Sequence, residues 1–474
     1  MNNFWEFSCW GWIMLFGALL GSMLLANVIK KSLPFLKDSL IPTSVLGGGL
    51  LLLVTSVYEA VTGDAFFNTA VFNGNGIASL EVITYHALAL GFIASSFKTT
   101  GSKLTKKRAG EIFNTGVTTV ATYLLQGIFG LIICMIVALV LGKFFVAAGV
   151  LLPFGYGQGT GQALNYGIIY ETEFGFDGGK SFGLTIAALG FLSASIGGVI
   201  HLNIMRRRGK IVRSTRDDGS THTDVLESNG EIPMQESIDK FTVQVALIFA
   251  AYLLTYVFML VLGKLLPGMR SVIYGFNFLL GVLSATLIKI TMNFLRRKRI
   301  IKKKYTNNFL MTRASNFFFD IMVVAGIAAI RLEVLEKYWG VMLILGFVGA
   351  IITYIYNRIV VKVLFKDYYE EQFLMMYGML TGTASTGIIL LRELDGTFET
   401  PASDNLVYQT LPAIVFGFPM MLLATLAPKK PVLTLIILAV FFLCMNVLLF
   451  RSLIFRRGGG KPKKEEGQAS PKEQ

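Results

Sequence analysis

Two glycine-rich stretches, LLPFGYGQGTGQALNYGIIYE at 151–171 and MMYGMLTGTASTGIILLRE at 375–393, decide the fold of this chain. Each follows the fourth long apolar segment in its half of the sequence. A membrane crossing needs about 20 mostly apolar residues, and each stretch is too short and too rich in Gly, Thr and Ser to add one. Two more ordinary crossings would also put the charges of the flanking loops on the wrong sides. We therefore predict a re-entrant hairpin near 152–170 and another near 374–394.

The composition excludes a soluble protein. Of the 474 residues, 54% are hydrophobic and 15% are charged, and the mean hydropathy is +0.62. A soluble domain cannot bury so much apolar surface, because surface area falls too slowly as a domain grows. The net charge of +14 does not indicate nucleic-acid binding either. Seventeen basic residues and no acidic residue lie in three short runs that follow apolar segments, at 98–108, 206–213 and 296–304.

Eleven apolar segments have the length of a membrane-spanning helix. The predicted spans are 8–29, 38–58, 79–97, 114–146, 182–205, 241–265, 271–294, 309–330, 339–364, 404–427 and 431–450. Because basic loops stay on the cytoplasmic side, the three basic runs place the amino terminus outside and the carboxyl terminus in the cytoplasm. We therefore expect a multi-pass membrane protein with this orientation.

The polar segment 206–240, a predicted cytoplasmic linker, divides this all-α membrane protein into two halves. Residues 1–205 form a first five-helix repeat and residues 241–427 a second, and an odd number of crossings in each half inverts the second repeat. Residues 428–452 form an extra helix, and residues 453–474 form a disordered cytoplasmic tail. Inverted repeats with Gly-interrupted segments at matching positions are typical of secondary transporters, whose binding site lies where those segments meet.

The two predicted hairpins carry the candidate binding groups. Non-helical backbone at membrane depth is tolerated only inside protein or beside a water-filled cavity. Its amides at helix starts suit a carboxylate, whereas carbonyls and hydroxyls suit a hard cation such as sodium. The predicted substrate-binding residues are Gln158, Gly159, Thr160, Gly161, Gln162, Asn165, Gly382, Thr383, Ala384, Ser385 and Thr386. Helix packing is the alternative role for these positions, since small residues are common where membrane helices pack.

Charged and titratable residues inside or beside apolar segments give further candidates. A charge at the bilayer centre costs at least about 2.5–3.5 kcal/mol on insertion scales, so Asp320 is expected to face a cavity, a partner or an ion. We predict a sodium site formed by Asp320, Thr381 and Thr383, with a salt bridge or a boundary position as the alternative for Asp320. His86 is expected to be a packed neutral imidazole, with a proton relay as the alternative. Arg392 either clamps a substrate carboxylate or anchors the chain at the cytoplasmic interface.

At these residues the sequence resembles the bacterial sodium/glutamate symporter family. The resemblance rests on IPTSVLGGGLLLL (41–53), FGYGQGTGQALNYG (154–167), GLTIAALGFLSASIGGVIHLN (183–203) and LTGTASTG (380–387), and with the order of spans it covers most of 8–427. It implies two inverted five-helix halves with Gly-rich re-entrant loops at 157–161 and 382–386, and inward transport of glutamate with sodium. The chain departs from the family in its Gln158, where His is common, in lacking a frequent Pro in the second loop, and in its eleventh span and basic linker.

These observations predict a secondary active transporter that takes up L-glutamate with sodium by alternating access. The chain is not expected to be an enzyme, and no cofactor is expected beyond sodium as the co-transported ion. The expected partners are sodium, a small organic anion and membrane lipid; a homodimer is compatible with the sequence, and nucleic acid is excluded. A symporter of the same architecture for citrate or a 2-hydroxycarboxylate is the alternative, followed by an ion channel. A transferase acting on lipid-linked substrates would need an acidic or His-containing loop with metal spacing, which the sequence lacks.

Overall fold

The computed structural model describes residues 3–37, 40–98, 105–142, 144–208, 238–395, 400–451 and 454. Of the predicted linker, only the ends up to 208 and from 238 lie within the described residues. Of the predicted tail, only residue 454 does.

The regular secondary structure within these ranges is helical, in agreement with the predicted all-α class. The α-helices are α1 Phe7–Ser32, α2 Pro34–Lys37, α3 Thr43–Thr62, α4 Gly76–Ser96, α5 Lys106–Leu141, α6 Leu151–Phe174, α7 Gly179–Arg207, α8 Lys240–Leu265, α9 Arg270–Gly275, α10 Asn277–Arg297, α11 Asn308–Ala328, α12 Leu332–Leu364, α13 Tyr369–Thr381, α14 Ala384–Arg392, α15 Ala402–Tyr408, α16 Thr410–Leu426 and α17 Pro431–Leu449.

Ten helices within the described ranges are long and apolar enough to cross a membrane. They are α1, α3, α4, α5, α7, α8, α10, α11, α12 and α17, and they give the chain the architecture of a multi-pass membrane protein. The structure differs from the prediction of a single span at 404–427, because the chain there forms two helices, α15 and α16, that are separated at Gln409. Only Pro412–Leu426 forms an apolar helix in this region, and it is shorter than the other ten.

α5, α8 and α11 begin after a side chain that accepts a hydrogen bond from the first free backbone amides. The Thr105 hydroxyl accepts from the amide of Arg108 in the first turn of α5 (3.3 Å). The Asp239 carboxylate accepts from two amides in the first turn of α8. The local sequence therefore fixes where these apolar helices begin.

The helices form two groups that meet along α6. In the first group, α1 packs on α3 and α8 packs on α10, while α4 and α11 pack together at its centre. α3 lies along α11, where Gly48 leaves room for Ile327, and α10 lies along α4, where Asn277 donates a hydrogen bond to the carbonyl of Tyr85 (3.1 Å). The second group contains α5, α6, α7, α12, α13, α14, α16 and α17. α6 connects the groups because it also packs against α4 and α11.

The core of the second group contains many polar side chains. α5, although apolar enough to cross a membrane, buries Thr115, Thr118, Thr119, Thr122 and Gln126. Buried polar groups in native proteins are nearly always hydrogen-bonded. The four threonine hydroxyls donate to carbonyls of α5 itself, whereas the side-chain amide of Gln126 donates to groups of α12 and α13.

Candidate functional site

The first glycine-rich stretch forms α6, which is broken at Gly159. Gly159 has φ 76° and ψ −170°, a conformation that residues with a side chain adopt only under strain. The rings of Phe154 and Tyr166 stack with their centroids 4.0 Å apart. In a straight helix, residues twelve positions apart are separated by about 18 Å. The two halves of α6 therefore lie side by side, and the chain folds back at Gly159.

The second glycine-rich stretch forms α13 and α14, which are separated at Gly382 and Thr383. A Cβ placed on Gly378 would lie 2.9 Å from the Cα of Gly387. These glycines are nine positions apart, and about 13.5 Å would separate them in a straight helix. α13 and α14 therefore also lie side by side, and their backbones come this close because neither glycine has a side chain.

The two breaks meet. A Cβ placed on Gly159 would lie 3.2 Å from the methyl carbon of Thr383 and 3.5 Å from the terminal methyl of Met322 in α11. On the other side, a Cβ placed on Gly190 of α7 would lie 2.4 Å from the carbonyl oxygen of Thr381. We call residues 157–162 and 381–386 the junction. The structure thus brings together two stretches that the sequence separates by more than 200 residues.

Two helix amino termini lie at the junction. The second half of α6 begins at Thr160, and α14 begins at Ala384 without a side chain that caps its first amides. The amino-terminal end of a helix carries free amides and a partial positive charge, which favour an anion.

Two helix carboxyl termini also lie there, with carbonyl groups of the opposite polarity. The carbonyl of Gly157 accepts from the hydroxyl of Tyr123 (2.9 Å), and the carbonyl of Leu380 accepts from the side-chain amide of Gln126 (2.9 Å). A carbonyl oxygen has two lone pairs, so each of these oxygens can accept a second partner. The junction therefore combines amide ends, which suit an anion, with carbonyl ends, which suit a cation.

Gln162 is a polar side chain of the junction that has no partner among the described residues. It is 0% exposed, and neither its amide nitrogen nor its amide oxygen forms a hydrogen bond. Leaving a buried polar group unpaired costs about 1–3 kcal/mol. An unpaired donor and an unpaired acceptor on one side chain indicate a place where a polar ligand or an ordered water completes the hydrogen bonding.

The other predicted residues of α6 hold this helix in place. The hydroxyl of Thr160 donates to a carbonyl of α11, and the side-chain amide of Asn165 donates to a carbonyl of α9, both at 3.1 Å. Gly161 packs directly against α4, and Gln158 is partly buried. Thr160 and Asn165 thus have structural partners, whereas Gln162 has none.

The predicted residues of the second break form a tight turn. The hydroxyl oxygens of Thr383 and Thr386 lie 3.4 Å apart, and a Cβ placed on Gly382 would come within 2.9 Å of the Thr386 hydroxyl. Ala384 is exposed, and the side chain of Ser385 lies outside the part of the chain that the structure describes. This turn therefore offers two threonine hydroxyls next to the free amides of α14.

Asp320 does not lie at the junction. Its carboxyl group interacts with the hydroxyl of Ser44 at the start of α3. Met322, which lines the junction, is two positions further along α11, and such residues lie on nearly opposite sides of a helix. Asp320 therefore points toward α3, and the structure does not bring it together with Thr381 and Thr383, its predicted partners in a sodium site.

His86 and Arg392 also lie away from the junction. His86 forms a hydrogen bond with the hydroxyl of Tyr252 in α8 and is exposed, whereas the sequence predicts a packed imidazole. Arg392 is exposed at the last residue of α14, at the end opposite the break. Neither side chain contributes to the geometry of the breaks.

A polar seam that the sequence analysis missed supports the second break. The side-chain amide of Gln126 also donates to the hydroxyl of Thr353 in α12 (2.8 Å). Gln372 of α13 donates to the hydroxyl of Thr115 (3.1 Å) and accepts from Asn405 of α15 (3.0 Å). We call these five residues the polar seam. The spacing of three to four residues between polar positions along one face of the apolar helix α5 is the signal that predicts such a seam.

A charged cluster holds the beginning of α13. The carboxylate of Glu370 accepts two hydrogen bonds from the guanidinium of Arg358 in α12, one of them at 2.8 Å. Its second oxygen lies 3.1 Å from Nε2 of His201 in α7, and Nδ1 of His201 lies 2.7 Å from the hydroxyl of Tyr354. Glu370 is 7% exposed and His201 is 3% exposed. This cluster therefore ties α13, the helix before the second break, to α12 and α7.

No family model and no curated protein matches this chain. Within the described ranges, no group of three or more His, Cys, Asp or Glu side chains is arranged to hold a metal ion. The function is therefore inferred from the geometry of the junction and from the sequence.

Proposed function

We propose that the chain is a secondary active transporter that takes up a small organic anion together with sodium, both bound at the junction. One observation carries this proposal: two helix breaks from distant parts of the chain meet at Gly159 and Thr383, and the buried side chain of Gln162, three residues after Gly159, has no partner in the described chain. Broken helices inside a multi-pass membrane protein are where secondary transporters bind their substrate and coupling ion.

Two inverted repeats with re-entrant hairpins are part of the proposal. The order of helices supports them, because in each half four long apolar helices precede the break and an apolar helix follows it. The packing supports them as well. The second long helix of the first half, α3, lies along the third long helix of the second half, α11. Likewise, the second long helix of the second half, α10, lies along the third long helix of the first half, α4, so the two halves exchange partners. Five crossings in each half would place the two halves in opposite orientations.

L-glutamate is the first candidate for the substrate. Its carboxylates match the amide ends of the junction at Thr160 and Ala384, and sodium matches the carbonyl ends and the threonine hydroxyls. The side chain of Gln162 has both an unpaired donor and an unpaired acceptor. An amino acid can satisfy both, because its carboxylate accepts and its ammonium group donates. Citrate and 2-hydroxycarboxylates are the alternative, because their hydroxyl group donates and their carboxylates accept.

The proposed location is the cytoplasmic membrane of a bacterium, with the amino terminus outside and the carboxyl terminus in the cytoplasm. The ten long apolar helices support a membrane location, and the three basic runs support this orientation under the positive-inside rule.

Uptake into proteoliposomes tests the proposed function. Radiolabelled L-glutamate is supplied with and without an inward sodium gradient, and we expect saturable uptake only with the gradient. Vesicles with the Thr383→Val variant are the matched control and should show no uptake above empty vesicles. Flux that does not saturate would indicate a channel. Sodium-driven uptake of labelled citrate, with no uptake of labelled glutamate, would indicate another anion.

The variant Asp320→Asn tests the predicted sodium site. If Asp320 binds sodium during the transport cycle, the sodium concentration that gives half-maximal uptake rises. Asp367→Asn is the matched control, because the side chain of Asp367 is 73% exposed and pairs only at the surface with Lys107. Equal sodium dependence of the two variants would assign Asp320 a structural role at the contact between α3 and α11.

A further inference from the structure

An apolar groove lies outside the junction, between α1, α2 and α3 on one side and α7 and α11 on the other. Its volume is about 370 Å³, and every residue that lines it is apolar or glycine. The groove opens at the outer surface of the helices, where Leu53 is 61% exposed and Leu192 is 39% exposed. Both belong to helices long and apolar enough to span a membrane, so the opening faces the membrane lipids.

The size and polarity of the groove select its occupant. Ordered water needs two to four polar partners, and the lining offers no polar side chain. A helix from another protein is about 10 Å across, so about 370 Å³ would hold less than one 5.4 Å turn. A lipid acyl chain is one methylene group wide and apolar along its whole length, and it fits lengthwise.

A lysine lies at one end of the groove. Lys30 is in the last turn of α1, and its amine donates a hydrogen bond to the carbonyl of Ile41, a groove residue. Amines next to an apolar groove complement a lipid with a negatively charged headgroup. We propose that the groove binds one acyl chain of an anionic phospholipid, whose headgroup lies beside Lys30.

The bound chain would lie against a helix that also lines the junction. Ala188 and Leu192 of α7 line the groove, while Gly190 and Phe191 between them contact the two breaks. The groove also separates α3 of the first helix group from α7 of the second. The lipid would therefore fill space between the two groups, one helix away from the proposed substrate.

Native mass spectrometry of the full-length protein in detergent, titrated with phosphatidylglycerol, tests the proposal. A Cβ placed on Gly49, a groove residue, meets no atom within 4 Å, so the ring of Gly49→Phe can enter the groove without a clash. Gly21→Phe on α1 is the matched control, because Gly21 has equally open surroundings and does not line the groove. We expect the wild type and Gly21→Phe to retain one tightly bound lipid that Gly49→Phe loses. Equal retention by the three proteins would overturn the proposal.

The headgroup is tested separately. Loss of one basic residue beside an anionic headgroup corresponds to about a fivefold weaker affinity. We expect Lys30→Gln to weaken the binding of phosphatidylglycerol by this factor and to leave that of phosphatidylcholine unchanged, and Lys264→Gln at the end of α8 to change neither.

Two other outcomes would contradict the proposal. Equal affinity of the wild type for phosphatidylglycerol and phosphatidylcholine would show that the headgroup charge does not contribute to binding. A change in the number of protein chains per particle in Gly49→Phe, with no loss of lipid, would make the groove a contact between copies of this chain. Transport is not measured in either experiment, so a negative result leaves the proposed function untouched.

Discussion

Gly159 and Gln162 have different roles at the junction although they are only three residues apart. Gly159 matters through its backbone, because its φ of 76° strains a residue with a side chain and a Cβ there would lie only 3.2 Å from Thr383. Gln162 matters through its side chain, which is buried without a partner in the described chain. Substituting each residue therefore tests a different property of the site.

The variant Gly159→Leu is expected to abolish sodium-driven uptake. The backbone conformation costs a residue with a side chain about 1–3 kcal/mol, and the added atoms would push Thr383 out of the junction. Uptake is measured in proteoliposomes, and the melting temperature in detergent shows whether the protein is still folded. Gly21→Leu, at a position with open surroundings, should keep wild-type uptake. Wild-type uptake by Gly159→Leu would show that the first break is not part of the binding site.

The variant Gln162→Leu is expected to weaken substrate binding without weakening the fold. Removing two unpaired buried atoms should leave the melting temperature unchanged or raise it, whereas the KM for uptake should rise. Gln372→Leu is the matched control, because Gln372 is equally buried but hydrogen-bonded to Thr115 and Asn405. Its loss should lower the free energy of unfolding by about 1–3 kcal/mol. An unchanged KM in Gln162→Leu would indicate that an ordered water, and not the substrate, completes the hydrogen bonding of the Gln162 amide.

At the scale of elements, each break is held by hydrogen bonds to helices that are themselves continuous. α6 is anchored to α16, where the hydroxyls of Tyr166 and Tyr170 donate to backbone carbonyls, both at 2.8 Å. α13 is anchored to α5 by the polar seam and to α12 by Glu370. Such bonds fix the broken helices where packing alone would let them slide, since apolar contacts have no preferred direction.

The variant Arg358→Met tests the anchor of α13. It leaves the buried carboxylate of Glu370 without its guanidinium partner, and breaking a buried pair in this way typically costs about 3–5 kcal/mol. We expect a drop of this size in the free energy of unfolding, measured by denaturation in detergent. The double variant Arg358→Met with Glu370→Gln should recover part of the loss, because no unpaired charge remains. Wild-type stability of Arg358→Met would show that the pair does not anchor α13.

At the scale of the whole molecule, two groups of helices contact each other through α6. The first group contains the exchanged pairs α3 with α11 and α4 with α10, and the second contains both breaks. In the proposed transport cycle, movement of one group against the other would expose the junction first to one side of the membrane and then to the other. The apolar groove lies between the same two groups, so a lipid bound there would be in contact with both.

The orientation in the membrane is tested by labelling single cysteines in intact cells. In a variant without the native Cys9, Cys134 and Cys444, we expect Asp177→Cys to react with a membrane-impermeant maleimide and Lys107→Cys to react only after permeabilisation. Both positions belong to exposed ion pairs, with side-chain exposures of 86% and 73%. The reverse pattern would invert the proposed topology and contradict the positive-inside assignment.

Some of the site could be read from the sequence because it depends on residue type alone. Gly159, Gln162 and Thr383 lie in stretches whose glycine content identifies them. Gln126 was missed, since one amide in an apolar helix gains meaning only from the helix that packs against it. Asp320 was placed at the ion site from its depth in a predicted span, but depth does not give the direction in which a side chain points around its helix.

The amino-acid sequence by itself determined the all-α class, the membrane architecture and the positions of both breaks. Each of these follows from the composition of about 20 consecutive residues, which is a local property of the chain. Only the tertiary structure decided that Gly159 meets Thr383, that Gln162 has no partner in the described chain, that Asp320 points toward α3 and that a groove remains beside α7. These features depend on how helices from both halves rotate and pack against one another, and no local stretch of sequence contains that information.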